Sequence, residues 1–156
     1  HLSLQSGSDT VLRRMNRKYD SARYFESVTL LHRWFPGCAI TTDLIVGFPQ
    51  ETEAEFAESL AFAEKCGFAA MHVFPYSRRD GTPAAAMPGQ IPKAVKAERA
   101  AAAEEQTAVV HDRAAVLHEQ LAAAGVGDVD EHRRRAIEHR RAASLDRQAA
   151  QDDGET

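Results

Sequence analysis

Four short stretches carry the residue types from which a site can be built. Gln5-Ser6-Gly7-Ser8 offers hydroxyls, an amide and backbone N–H groups where the alternating segment His1 to Gln5 ends. Such a polar lip suits a ligand, although an ordinary strand-to-helix turn has the same make-up. Thr41 and Asp43 share one parity of the apolar, β-branched run from Ala39 to Val46, which Gly47-Phe48-Pro49 stops abruptly. A carboxylate in such a run is costly unless it is paired or ligand-bound, so Asp43 stands out, with a satisfied structural carboxylate as the plain alternative. Arg13, Arg14, Arg17 and Lys18 cluster within six positions, fitting either phosphate or carboxylate recognition or a solvated helix end. Phe74, Tyr76, Ser77 and Arg78 close a further strand and lead into a polar loop with a turn signal at Asp80-Gly81.

The elements that must position these residues are legible from periodicity. Leu2 and Leu4 fall on one face of a strand, followed by a short helix over Thr10–Met15 with Ser8 or Asp9 at its start. Asp20 or Ser21 caps the next helix, whose stripe Tyr24, Val28, Leu31, Phe35 packs on a sheet until Pro36-Gly37 ends it. A strand from Cys38 to Val46 follows. Its even-numbered residues Ile40, Leu44 and Val46 are expected to face helices, and its odd-numbered set Thr41, Asp43 and Ile45 the interior. Thr52-x-x-Glu55 has the form of a capping box. It opens a helix over Glu53–Cys66 that buries Phe56, Leu60 and Ala63 and stops at Gly67. The strand Ala69–Phe74 completes a strand–helix alternation that means a parallel sheet with right-handed crossovers.

Composition divides the chain. All seven Phe, all three Tyr, the Trp, both Cys and all three Met lie before residue 96, and the remainder is dominated by Ala, Arg, Glu and His. We expect a long helix over 93–125, with a stripe of Val110, Ala114, Leu117 and Leu121. For 126–156 the expectation is a frayed or disordered tail with too little apolar surface to offset its ordering. The net charge of −4 argues against direct nucleic-acid binding by this piece, since binding domains are usually basic. No run approaches the length of a membrane span, and two cysteines 28 positions apart form neither a disulfide framework nor a metal motif. The setting expected is reducing and cytoplasmic. His1, already inside a strand pattern, leads us to expect a piece of something longer.

The quoted stretches, joined by Val11-Leu12, Glu51-Thr52, His72-Val73-Phe74-Pro75-Tyr76-Ser77-Arg78, Gly81-Thr82-Pro83-Ala84, Gln90-Ile91-Pro92 and Glu98-Arg99, together resemble the radical S-adenosylmethionine methylthiotransferases. The resemblance runs in register over residues 1–99. It implies an α/β fold, the C-terminal part of a partial (β/α) TIM-like barrel over 1–92, followed by the helical tail. It also implies S-adenosylmethionine and two 4Fe-4S clusters in a complete enzyme that acts on tRNA, with neither DNA nor membrane as partner. His72–Ser77 looks most like the branch that adds a methylthio group to C2 of N6-threonylcarbamoyladenosine beside the anticodon. Sister branches act on dimethylallyladenosine in tRNA or on an aspartate of a ribosomal protein. By that resemblance Gln5, Ser6, Ser8, Thr41, Asp43, Gly47, Phe74 and Tyr76 border the cofactor, and Arg17, Ser77 and Arg78 the substrate. Gly47 is expected to allow close approach of backbone to adenine.

Two departures accompany it. The C-x-x-x-C-x-x-C loop that holds the family's radical-generating cluster is not in this sequence, and Cys38 and Cys66 do not match cluster positions. The chain alone is therefore expected to be inactive, or a non-catalytic truncated remnant. Gln50 stands where the family usually has Gly; if that position needs positive φ, Gln50 is strained by about 1 kcal/mol.

Overall fold

Thr52 accepts the Glu55 backbone N–H while the Glu55 side chain accepts the Thr52 N–H, and this complete capping box starts the helix Glu53–Cys66, which Gly67 ends in the left-handed region. The same local chemistry sets the other elements of the computed structural model, which describes residues 1–36 and 38–154. They are α1 (Asp9–Arg14), α2 (Ser21–Trp34), β1 (Thr41–Val46), α3 (Glu53–Cys66), β2 (Ala70–Pro75), α4 (Pro83–Ala86), α5 (Lys93–Ala123) and α6 (Val129–Gly154). The chain forms two units, His1–Ala100 and Ala101–Thr156.

In the first unit β1 and β2 pair in parallel, from Thr41 opposite Ala70 to Val46 opposite Pro75. The segment before α1 runs along the other side of β1. Leu2 N–H donates to Thr41 O, Gln5 N–H to Asp43 O, and Ile45 N–H to Gln5 O. The pairing contracts to a single bridge, Gln5 to Leu44. Leu4 N–H goes to the Thr42 hydroxyl instead of a carbonyl, and Gln5 takes a positive φ of 70°. The expected first strand is thus present only as this bridged segment. Mixed α/β structure with a small parallel sheet is what the described residues form; two strands and one bridged segment do not make a barrel.

Burial along β1 alternates, with Thr42, Leu44 and Val46 inside and Thr41, Asp43 and Ile45 half-exposed. The buried face meets Tyr24 and Val28 of α2 and Phe56 and Ala63 of α3 in one core with Leu4, Val11 and Leu12. Tyr24 sits edge-on to Phe62 and Phe68 at 6.2 Å, a favourable ring geometry. Thr42 is the polar node of this core. Its hydroxyl donates to Leu2 O at 2.7 Å, receives Leu4 N–H at 2.9 Å and lies 3.2 Å from the Tyr24 hydroxyl. The α2 stripe fades beyond Val28: Trp34 and Phe35 are 69% and 61% exposed. Gly37 lies outside the described residues. In α3, Ser59 and Cys66 are buried where Leu60 was expected, and Leu60 is half-buried.

The second unit departs most from expectation. Residues 129–154 form the helix α6 rather than a frayed tail, and α5 buries Ala103, Thr107, His111 and Ala115 while Leu117 is 54% exposed. The interface uses alanine and histidine, which a search for large aliphatic residues passes over. No described helix is long and apolar enough to cross a membrane.

Thr42→Val keeps the shape of the core but strands the Leu4 N–H inside it. Urea unfolding is expected to show a loss of about 1–3 kcal/mol; a neutral change would mean that the node carries no stability.

Candidate functional site

Because one face of β1 is buried against helices, the other is presented outward, where it lines a cleft of about 500 Å³ together with the end of β2. Gln5, Asp43, Ile45, Phe74, Tyr76, Ser77, Arg79 and Thr82 line it. The volume is in the range of small-molecule sites. Its base is apolar and aromatic, its rim polar, and Phe74 is 52% exposed to it. Tyr76 packs edge-on against Phe48 at 5.3 Å, and its hydroxyl is buried with no hydrogen-bond partner. A buried phenol without a partner is uncommon.

Asp43 is satisfied from its own side of the sheet. Its Oδ2 accepts the Ser3 hydroxyl at 2.8 Å and lies 3.0 Å from His1 Nε2. His1 Nδ1 in turn reaches the Thr41 hydroxyl at 2.9 Å. Arg17 donates to Gln5 Oε1 at 2.9 Å, which brings one guanidinium of the basic cluster to the cleft's edge. Arg14 instead donates to Pro49 O and pairs with Glu55. Burial works against the Glu55 carboxylate, yet Arg14 and the Thr52 N–H hold it below its ordinary value.

The structure gathers Gln5, Asp43, Phe74, Tyr76 and Ser77 of the expected residues around the cleft, with Thr41 and Arg17 in contact with its rim through His1 and Gln5. Ser6 and Ser8 go elsewhere. Both are buried; Ser6 Oγ lies 3.0 Å from Ser59 Oγ, and Ser8 N–H donates to Ser6 Oγ. Arg78 lines a separate depression with Asp80 and Gly81. Ile45, Arg79 and Thr82 are cleft residues that were not singled out. Ile45 was findable, since it shares the parity of Asp43.

The turn that ends β1 is held by a buried ion pair. Glu51 Oε2 accepts the Gly47 N–H at 2.6 Å and Arg99 Nη1 at 2.8 Å. Both side chains are almost fully buried, at 1% and 6% exposure. Arg99 also donates to Glu53 at 2.5 Å and lies over the Phe56 ring. Burial pushes the Glu51 carboxyl up, and the Gly47 N–H and Arg99 pull it back; the carboxylate is the form that uses both donors. Gly47 has φ of 70°, and a Cβ there would collide with the Lys96 stem. The space that glycine leaves is thus filled by Lys96, whose ammonium donates to Tyr76 O at 2.7 Å. Gln50 does take positive φ, 65°, with its N–H on Gly89 O at 2.8 Å.

The two thiols do not suit an iron–sulfur cluster, which needs several converging thiolates. Cys38 precedes β1, with its Sγ 3.9 Å from Leu31 O. Cys66 ends α3 in the core, where burial pushes its thiol up to about 11.

Residues 1–63 match the model of the radical SAM superfamily. Over 99 residues, 64% of the chain, the sequence is 52% identical to a tRNA-2-methylthio-N(6)-dimethylallyladenosine synthase of Acidothermus cellulolyticus. It is 50% identical over the same length to a threonylcarbamoyladenosine tRNA methylthiotransferase of Bacillus subtilis. A dimethylallyladenosine synthase of Mycobacterium avium is 54% identical over 99 residues. The aligned part spans 20%, 22% and 14% of those relatives, so the chain covers about a fifth or less of their length.

Two substitutions probe the turn. Glu51→Ala leaves the Gly47 N–H without its acceptor and the buried Arg99 with only the exposed Glu53 as its carboxylate partner, and is expected to cost about 3 kcal/mol. The double variant Glu51→Ala/Arg99→Leu should cost clearly less than the two single costs added together, as read from urea unfolding; simple additivity would deny the coupling. Gln50→Gly relieves the left-handed backbone and should raise stability by about 1 kcal/mol, less the Gln50 side-chain bond to Pro88 O.

Proposed function

We propose, from the premise that residues 1–63 belong to the radical SAM superfamily, that the first unit is the cofactor edge of a tRNA methylthiotransferase. The observation that carries this reading is the cleft beside β1, with its aromatic wall of Phe74 and Tyr76 and the polar groups of Gln5, Asp43 and Ser77 at its rim. Ile45, Phe74 and Tyr76 supply apolar and aromatic surface for a purine. Gln5, Asp43 and Ser77 supply the polar groups that ribose hydroxyls or an amino-acid end require. Ser6, Ser8 and Gly47 serve this edge from behind, by fixing the backbone that carries Gln5 and the end of β1. Arg17 at the cleft's edge, Arg79 in its lining and Arg78 beside it are cations available to a phosphate of the RNA.

S-adenosylmethionine, when bound, is the source of the radical chemistry. The chain's own part is to hold the adenosyl end, to keep water from it and to shape the floor under the base. The cysteines do not fit a cluster, so no step is assigned to one here. The substrate proposed is an N6-modified adenosine of tRNA that receives a methylthio group at C2. His72-Val73-Phe74-Pro75-Tyr76-Ser77 favours the threonylcarbamoyl form, although relatives named for either form are about equally similar. A cytoplasmic setting accords with a tRNA substrate.

The test is a chimera. Residues 1–99 of this chain replace the matching segment of the Bacillus subtilis relative, and tRNA nucleosides are read by mass spectrometry. Methylthio-threonylcarbamoyladenosine is the expected product, and Phe74→Ala or Tyr76→Phe in the chimera should reduce it. A folded chimera that binds S-adenosylmethionine but modifies only dimethylallyladenosine tRNA would overturn the branch. One that binds no S-adenosylmethionine would overturn the cofactor edge.

A further inference from the structure

The second unit contains four of the chain's seven histidines, and they meet. His111 and His118 stand seven residues apart on α5, and His132 and His139 seven apart on α6. That spacing returns each pair to one helix face. His111 Nδ1 lies 3.1 Å from His139 Nδ1, and His118 Nδ1 lies 2.9 Å from His132 Nδ1. The His118 and His139 rings stack at 5.6 Å and 11°, joining the two pairs into one ladder.

The imidazoles are the largest groups in this interface. Among the described residues of the unit His111 is buried and the other three rings are half-buried, beside the buried Ala103, Thr107, Ala108, Ala115, Ala136 and Ala143, whereas Leu117, Ile137 and Leu145 are 54%, 70% and 57% exposed. A hairpin whose long aliphatic side chains point outward depends on what the rings do. The facing Nδ1 atoms of the two pairs are placed to share a proton.

Two Nδ1 atoms at hydrogen-bond distance need one proton between them: one ring donates from Nδ1, and the other accepts there and carries its own proton on Nε2. A first added proton is tolerated, since an imidazolium can still donate to its neutral partner. A second protonates both Nδ1 atoms, leaving two N–H groups face to face with no acceptor. We propose that the α5–α6 hairpin is a proton-operated latch, closed while each imidazole pair keeps one Nδ1 lone pair and opened when both rings of a pair are charged.

The surrounding charges moderate the latch without cancelling it. From α5, Asp112 favours charge on His111. From α6, Asp146 Oδ2 stands 3.7 Å from His111 Nε2, Glu131 and Glu138 favour charge on His118 and His139, and Arg135 opposes it on both. Asp112 and Glu119 are engaged by Arg140 and Arg147. Burial places His111, His118 and His139 below their ordinary 6.5, helped at His118 and His139 by the neighbouring imidazoles and Arg135 and opposed at His111 by Asp112. The folded hairpin therefore binds fewer protons than the unfolded one near that pH. Its stability is complete above about 6.5 and drains as pH falls below it. Asp112, held low chiefly by Arg147, loses its contribution only below about pH 4, so the two windows are separate.

The full chain offers a clean readout, because every Trp, Tyr and Phe lies at or before Tyr76. Between about pH 7.5 and pH 5, helical ellipticity should fall reversibly and its thermal midpoint drop by at least about 5 °C. The near-ultraviolet aromatic signal of the first unit should stay unchanged. The variant H111Q/H118Q/H132Q/H139Q should lose this response. If that variant is unfolded at neutral pH, H118Q/H132Q alone should roughly halve it. A flat helical signal in the wild type, an equal loss in the glutamine variants, or a parallel loss of the aromatic signal would overturn the proposal.

Discussion

One buried oxygen holds the first unit's working edge in place. Glu51 Oε2 accepts both the Gly47 N–H and the Arg99 guanidinium, and Arg99 keeps only the exposed Glu53 as a further carboxylate partner. Without Arg99 the carboxylate would be a lone buried charge, whose desolvation cost far exceeds that of a neutral side chain. Without Glu51 the Gly47 N–H would lose its acceptor just where β1 must stop. The pair thus ties the turn after β1 to the opening turns of α5. Lys96, three residues before Arg99, lies across Gly47 and donates to the end of β2. The first turns of α5 close the cleft-forming ends of both strands, so residues beyond the 1–63 family match help to shape what that match provides.

The cleft follows from the opposite face of the same strand. Period-two alternation commits Thr42, Leu44 and Val46 to the helices, so Asp43 and Ile45 face outward whatever else changes. The Thr42 hydroxyl, bonded to Leu2 O and Leu4 N–H, replaces regular ladder contacts and accompanies the positive φ of Gln5. That local twist delivers the Gln5 side chain to Arg17 and the cleft, and directs the next residue, Ser6, inward to Ser59.

What was legible in the sequence was what is decided locally. The Thr52–Glu55 box, the left-handed Gly67, the alternation of β1 and the strained Gln50 all depend on residues within a few positions, and each stands in the structure. Ser6 was not legible as an internal group, because its partner Ser59 lies more than fifty positions away, and Ser8 follows it inward through its N–H on Ser6 Oγ. The packing of helix α6 was not legible for a different reason, although the segment reads as helix-prone. Its packing uses small residues and imidazoles, a pattern with little hydrophobic amplitude, although the paired seven-residue histidine spacing was there to be read. The exposed Phe35 shows the reverse error: apolar periodicity marks a face, but burial requires a neighbour for it.

The two units also differ in what they can respond to. The first combines a dense apolar core with a buried ion pair whose members have no water to exchange with, so modest changes of pH or salt have little purchase on it. The second is laced by Arg140 and Arg147 with Asp112 and Glu119, all substantially exposed, and exposed pairs contribute little each. Its buried residues are mostly alanine, and alanine burial supplies little per residue. A unit with that balance sits near the limit of its stability, where a shift of a single ionisation equilibrium is a large fraction of the whole. The histidine ladder lies in that unit, where its protonation has the most leverage.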